Sequence, residues 1–425
     1  MQGLKVCVIG GGSTYTPELV EGFLKSTAEL PVSVITLMDI NEARLQVVGG
    51  LVQRMVQNSG AKIQITLTTC RKAALEGAQY VISQIRVGGI ECRIRDEKIP
   101  LQFGIVGQET TGPGGFAKAL RTIPVMLDVA HDILAIAPEA WLINFTNPAG
   151  IITEALLKYT NVRVIGLCNV PINFKWNIAQ DLGVCPETIY LDYVGLNHLS
   201  WVRGVYVNGE NVFDQVLKIA ISKAAKGEHF FAPELLETLS MIPSPYLRYY
   251  YDHDRVVAEQ RQAGKTRGEE VKEIEAQLLK LYADPELKNK PQLLEKRGGA
   301  RYSTAAVALI SAIHNNKSEV QIVNCLNQGA LSDLPKGCVV ELPAVIDNTG
   351  AHAIRVSPMP ASIRGLVQAV KAYEELTIKA AVEGDERAAL QALLAHPLVP
   401  SFSVAKELWK AIKDANKAYL PQFRG

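Results

Sequence analysis

LKVCVIGGGSTYTPEL, residues 4–19, decides the reading of the first half of the chain. An apolar, β-branched run meets three glycines at Gly10, Gly11 and Gly12, then Ser13, and a helix opens near Thr16-Pro17. A glycine turn lets the backbone approach a pyrophosphate, which then sits on the helix N-terminus. Gly10 and Gly12 match the first two positions of G-x-G-x-x-G, whereas Tyr15 stands at the third. A second run, VSVITLMD (32–39), ends at Asp39 one βαβ step later. A carboxylate there takes the ribose hydroxyls of NAD and repels the 2′-phosphate of NADP. Alone, such a turn is equally a plain tight turn; its place at the start of the chain and Asp39 favour the dinucleotide.

Four further strand-like runs follow: KIQITL (62–67), QYVISQI (79–85), AWLINFTN (140–147) and VRVIGLC (162–168). Helix-like segments at 17–25, 42–58, 71–77, 118–136 and 149–159 separate the strands. Continuous apolar strands alternating with helices predict a doubly wound parallel α/β sheet covered on both faces, with right-handed crossovers. Near residue 190 the alternation stops. TIYLDYVGLNH (188–198) and LSWVRGVYVNG (199–209) read as longer strands, the second ending in an Asn208-Gly209 turn. Helical patterns dominate thereafter, at 211–226, 233–241, 247–263, 269–283, 360–382 and 402–419. In 269–283 the spacing places Val271, Ile274, Leu278 and Leu281 on one face. The division that results is residues 1–194, a Rossmann-like NAD-binding domain, and 195–425, a mainly helical α+β domain.

The 425 residues suffice for two or three domains, and 48% hydrophobic with 20% charged residues excludes disorder, collagen and coiled coil. Lys and Arg number 44 against 43 Asp and Glu, a net +1, which argues against nucleic acid or an anionic membrane as partner. A phosphate bound here must be gripped by local arginines. The N-terminus lacks the pattern of a secretion signal, no run approaches the ~18 apolar residues of a spanning helix, and seven scattered cysteines form no CxxC pair. A soluble cytoplasmic protein is the expectation.

Some residues invite chemistry. Cys168 closes VRVIGLC and His198 closes DYVGLN. Singly they read as a small buried apolar residue and a structural histidine; together, at the carboxyl ends of strands, as metal ligands. Arg93 and Arg95 in ECRIRDEKIP and Arg267 in GKTRGEEV suit a phosphate, or equally helix-surface pairs with Asp96, Glu97 or Glu269. PYLRYYYDHD (245–254) packs four tyrosines, as an aromatic core stripe or as part of a site.

Six blocks appear in one order: GGGSTYTPEL (10–19), GQETTGPGGF (107–116), INFTNPAG (143–150), GLCNVPI (166–172), GLNHLS (195–200) and KRGGARYS (296–303). Together they resemble glycoside hydrolase family 4, the NAD- and metal-dependent glycosidases that dispense with two carboxylates. The pattern is most similar to that of the 6-phospho-β-glucosidases. The resemblance implies a C-terminal domain like that of lactate and malate dehydrogenases, carrying substrate, metal and oligomer contacts, in a homodimer or homotetramer. It implies NAD on Gly10, Gly11, Gly12, Ser13 and Asp39, and a divalent metal, Mn²⁺ in most members, on Cys168 and His198. Asn147 then contacts the sugar, Arg93 and Arg267 hold the 6-phosphate and substrate, Tyr246 is the base, and Glu109 raises its basicity. Members cleaving α-linked phosphosugars have Cys-Asp where this chain has Cys168-Asn169, so the proton donor of those members has no counterpart and β-glycosides are preferred.

The implied reaction oxidises sugar C3 with NAD⁺, which acidifies C2–H for Tyr246. The aglycone is then eliminated from C1, water adds, and C3 is re-reduced. Glucose 6-phosphate and aglycone result from substrates such as cellobiose 6-phosphate or aryl 6-phospho-β-glucosides. Other family specificities (diacetylchitobiose 6-phosphate, an α-linked or a uronate sugar) stand as alternatives. An NAD-dependent 2-hydroxy-acid dehydrogenase explains the glycine turn but not Cys168, the tyrosine block or the length. A non-enzymatic NAD-sensing or sugar-phosphate-binding regulator has no DNA-binding segment to support it.

Overall fold

A computed structural model describes residues 3–298 and 301–423. Gly299 and Ala300, within the 296–303 block, lie outside the described residues. Six strands, β1 (Leu4–Ile9), β2 (Val32–Met38), β3 (Gln64–Thr68), β4 (Tyr80–Ser83), β5 (Trp141–Asn144) and β6 (Arg163–Gly166), pair in parallel in the order 3-2-1-4-5-6. That is the doubly wound order of dinucleotide-binding sheets. Both faces of the inner strands are buried, which explains their apolar runs, whereas β3 at the edge is only partly covered. Along β1, Val6 and Val8 enter one core while Cys7 and Ile9 enter the other.

The second half contributes a hairpin, β7 (Ile189–Leu196) and β8 (Leu199–Val207), with two-residue strands β9 (Glu210–Asn211) and β10 (Ile242–Pro243) pairing with β8. Asn208 and Gly209 both take positive φ, 49° and 86°, between β8 and β9, the primed geometry that an Asn-Gly pair favours. Three more strands, β11 (Glu319–Leu326), β12 (Val339–Asp347) and β13 (Gly350–Ala353), extend the first sheet antiparallel through a β11–β6 contact. The nine-stranded sheet therefore runs across the sequence division at 194/195, which falls within β7. Those three strands, the helix Asn169–Leu182 and the helix Tyr302–His314 lie outside the elements expected from periodicity.

Helix Arg267–Tyr282 corrects one expected face. Val271 and Leu278 are buried, but Leu281 is exposed, and Glu275 and Tyr282 turn inward instead. Polar anchoring rotates the helix. Tyr282 Oη donates to the Thr14 carbonyl at 2.7 Å, and Glu275 takes Arg44 Nη2 at 2.8 Å. The C-terminal half thereby braces the glycine turn of the N-terminal half.

Candidate active site

The turn after β1 is built for close approach. Gly10 has φ 93°, and a Cβ there would meet the Gln84 carbonyl oxygen at 2.9 Å. A Cβ on Gly12 would lie 2.8 Å from Asp39 Oδ2, which instead accepts the Gly12 N–H at 2.9 Å. Asp39 Oδ1 accepts the Asn41 N–H at 2.9 Å, so the carboxylate is oriented beside the turn at the end of β2. Ser13 closes the turn by donating its N–H to the Gly10 carbonyl at 3.0 Å. Arg44 Nε donates to the Gly12 carbonyl at 2.8 Å from below. Tyr15, at the third-glycine position, packs edge-on against Tyr302 with centroids 5.7 Å apart. The cradle fits a pyrophosphate and a ribose diol.

Cys168 follows β6 and caps the helix Asn169–Leu182, its Sγ accepting the Val170 N–H at 3.5 Å. Burial pushes its thiol up, and Glu341 adds to this, while the Val170 amide and the Asn197 side chain oppose them. Asn169 occupies the first turn of that helix. His198 sits at the tip of the β7–β8 hairpin with φ 64°, a left-handed conformation that costs a non-glycine residue about 1 kcal/mol or more. Burial holds its imidazole neutral, with a pKa lowered to about 3. Its Nδ1 meets Thr110 Oγ1 at 2.9 Å, which leaves Nε2 for a ligand. Among the described residues no group of three or more His, Cys, Asp or Glu side chains gathers to hold a metal. The donor set that fits one is thus a thiolate, an imidazole and oxygens brought by substrate or water.

Tyr246, in the turn Pro245–Leu247, stacks on His198 with centroids 3.6 Å apart. Its turn is tied to β8 by the Ser244 N–H, which donates to the Ser200 carbonyl at 2.9 Å. Burial raises its phenol well above the ordinary range, and the neighbouring Cys168, Tyr249, Tyr302 and Glu109 push the same way, Glu109 being the one of these that is ionised at neutral pH. Asn147, just past β5, has its side chain beside Tyr302, where it partly offsets the burial that raises that phenol.

Glu109 lies in a cationic cage. Lys118 Nζ is 2.7 Å from Oε2, Arg93 Nη1 is 2.9 Å from Oε1 and Arg86 Nη2 is 3.4 Å from Oε2. Burial pushes the Glu109 carboxyl up, but Arg93, Lys118 and Arg86 outweigh it and hold the group ionised. Arg93 also pairs with Glu97 at 2.8 Å, and Glu97 Oε2 accepts the Gly268 N–H at 2.6 Å. Arg267 next to it is about half exposed and turned elsewhere, to Glu270 at 2.8 Å and the Lys296 carbonyl at 2.8 Å. Arg95 Nη2 faces Cys92 Sγ at 2.8 Å.

Sequence reasoning missed Arg86, Thr110, Lys118, Asn197, Tyr302 and Glu341. Glu341 is buried on β12 and accepts from Tyr193 Oη at 2.7 Å, Asn197 Nδ2 at 3.0 Å and Asn324 Nδ2 at 3.1 Å. A lone carboxylate in the apolar run VVELPAV (339–345) was its one visible signal.

The chain as a whole is similar to known proteins. Residues 5–184 match the family 4 glycosyl hydrolase model, and residues 193–399 match that family's C-terminal domain. A Bacillus subtilis protein named as a probable 6-phospho-beta-glucosidase is 46% identical over 99% of this chain and 98% of its own. Relatives named 6-phospho-beta-glucosidases, or probable ones, are 37–46% identical, and those named for phospho-α-glucosides or maltose 6′-phosphate are 27–30% identical. The 6-phospho-beta glucosidase of Thermotoga maritima, solved with manganese, NAD⁺ and glucose-6-phosphate, superposes with a TM-score of 0.91 at 36% identity, covering 98% of this chain and 99% of that one. A Plasmodium falciparum malate dehydrogenase shares the fold at a TM-score of 0.54 and 15% identity, over 89% of this chain and 98% of its own. With both family regions matched in sequence and the fold matched end to end, the chain belongs to glycosyl hydrolase family 4.

Proposed function

We propose that this enzyme is a 6-phospho-β-glucosidase, releasing glucose 6-phosphate and an aglycone. The observation that carries the reading is the Cys168-Asn169 pair at the helix N-terminus, with Cys168 in the electrostatic surroundings of Tyr246, which stacks on His198. Asn169 cannot serve as a carboxylic acid, as the Asp of α-cleaving members does, and the higher identity to β-named relatives points the same way.

Gly10 to Ser13 and Asp39 would hold NAD, and Cys168 and His198 a divalent metal such as Mn²⁺. When bound, the two supply a reversible hydride acceptor for sugar C3 and a Lewis acid. The chain's own residues do the rest. Tyr246 takes the proton from C2 once the neighbouring C3 is a carbonyl, and the aglycone leaves from C1. Arg93 interacts electrostatically with Tyr246 and favours its phenolate. Glu109 opposes that and keeps the phenolate basic, while its cage fixes it in place. Asn147 and Asn169 orient the sugar hydroxyls. Arg93 and Arg267 hold the 6-phosphate, with Arg267 exchanging Glu270 for the substrate anion. Binding energy from this remote group serves positioning at C1 to C3. Domain roles follow the division at 194/195, and a cytoplasmic homodimer or homotetramer completes the reading.

The test is incubation with nitrophenyl β-glucoside 6-phosphate, NAD⁺, Mn²⁺ and a thiol reductant in D₂O. Nitrophenol release that requires NAD⁺ and Mn²⁺, with deuterium at C2 of the product, is the expected result. Release without exchange or NAD dependence would indicate a conventional hydrolase. Steady NADH accumulation with hydroxy acids, and no release, would indicate a dehydrogenase.

A further inference from the structure

The loop before the helix Gly112–Ile136 contains an unusual convergence on one atom. Gln108 Oε1 accepts the backbone N–H of Thr110 at 2.5 Å and that of Thr111 at 2.7 Å. Backbone amides only donate, so the Gln108 atom facing them is its carbonyl oxygen and not its amide nitrogen. The same oxygen lies 2.8 Å from Thr110 Oγ1. Two oxygens at that distance need a hydrogen between them, and Gln108 Oε1 has none to give. The Thr110 hydroxyl hydrogen is therefore committed to Gln108. Its oxygen can only accept from the remaining neighbour, His198 Nδ1 at 2.9 Å.

We infer that Gln108 and Thr110 act as positioning residues that hold His198 as the Nδ1–H tautomer, so that its Nε2 lone pair is presented for metal coordination. The inference rests on the metal reading of His198 for its purpose, and on the hydrogen-bond directions alone for the tautomer. A neutral imidazole binds a metal through its unprotonated nitrogen, and the partner of the other nitrogen selects which one that is. The ring cannot turn away easily, because Tyr246 covers its face at 3.6 Å. The loop is equally constrained. A Cβ on Gly114 would lie 2.1 Å from the backbone carbonyl oxygen of Gln108, and one on Gly115 would lie 2.5 Å from that of Thr110. The glycines of GQETTGPGGF thus let residues 108–110 press onto the start of their own helix and aim Thr110 at the hairpin tip.

Two measurements on the full-length, metal-free protein test this. In ¹⁵N-histidine-labelled protein, with the His198 signals assigned by their loss in His198→Gln, Nδ1 should be protonated and Nε2 not. Thr110→Val should abolish that preference, and Thr110→Ser should restore it. Free Mn²⁺ counted by electron paramagnetic resonance should show Mn²⁺ affinity falling by about tenfold or more in Thr110→Val, the usual scale for losing an outer-shell partner, and recovering in Thr110→Ser. A wild-type His198 protonated on Nε2, or a Thr110→Val variant with unchanged tautomer and unchanged Mn²⁺ affinity, overturns the inference. If His198→Gln itself binds Mn²⁺ like the wild type, the metal reading fails instead, and the tautomer result stands or falls on the nitrogen spectra.

Discussion

The rings of His198 and Tyr246 lie face to face, their centroids 3.6 Å apart and their planes 4° from parallel. One residue comes from the tip of a hairpin, the other from a short turn that β8 tethers. The stack holds the proposed metal ligand and the proposed base at one fixed separation.

Tyr246→Phe keeps the ring and deletes only the phenolic oxygen. Turnover of nitrophenyl β-glucoside 6-phosphate should fall by about 10²–10⁴, the usual contribution of a positioned base. KM and thermal midpoint should stay near wild type, because the stack survives. Near-normal turnover would remove Tyr246 from the reaction.

Metal binding should release a proton. Burial and Glu341 keep the Cys168 thiol protonated at neutral pH, and a thiol ligates as its anion. Mn²⁺ titrations in buffers of different ionisation enthalpy should therefore give heats that follow the buffer. Cys168→Ser should lose both the proton release and most of the affinity. Exhaustive chelation should abolish turnover and Mn²⁺ should restore it; activity that survives chelation would exclude Cys168 and His198 as metal ligands.

The parallel half was legible because its signal is local. β1 to β6 each read as a short strand-like run, and Asp39, Asn147 and Cys168 stand just past the ends of β2, β5 and β6. The antiparallel extension by β11 to β13 was not legible, since partner choice across the 158 residues from Gly166 to Asn324 leaves no periodic trace. Leu281 shows the limit of periodicity. Its helix turns toward Glu275 and Tyr282 because two arginines and a carbonyl await them. Thr110, Lys118 and Arg86 were missed for the same reason: what they do depends on a partner supplied by another segment.

Asp39 should govern dinucleotide choice. Its carboxylate is oriented by the Gly12 and Asn41 N–H groups at 2.9 Å each, at the end of β2. Asp39→Ser should weaken NAD⁺ by about tenfold or more, the scale of a lost hydrogen bond to a charged group, and should narrow the preference over NADP⁺. Fluorescence titration with both dinucleotides reads this directly. Unchanged affinity for each would place the ribose elsewhere.

Glu275 should carry stability that depends on acid pH. Its side chain is only 7% exposed, and it receives Arg44 Nη2 at 2.8 Å and Arg297 Nη2 at 3.0 Å. Burial pushes the carboxyl up, yet Arg297 and Arg44 outweigh it and bring the pKa from 4.5 to about 2. A depressed carboxylate stabilises the fold fully above its unfolded pKa, and that contribution is lost as pH falls through the folded one. The window is therefore pH 4.5 down to about 2, and the shift corresponds to about 3 kcal/mol. Glu275→Gln should be less stable than wild type by that order from pH 7 to 4.5, and the gap should narrow as the pH is lowered further. NAD⁺ should also bind more weakly, because Arg44 braces the Gly12 carbonyl at 2.8 Å. Denaturant unfolding between pH 7 and 3 measures the gap. A difference that stays constant with pH would mean that Glu275 acts by packing, with its charge pairing to Arg44 and Arg297 contributing nothing.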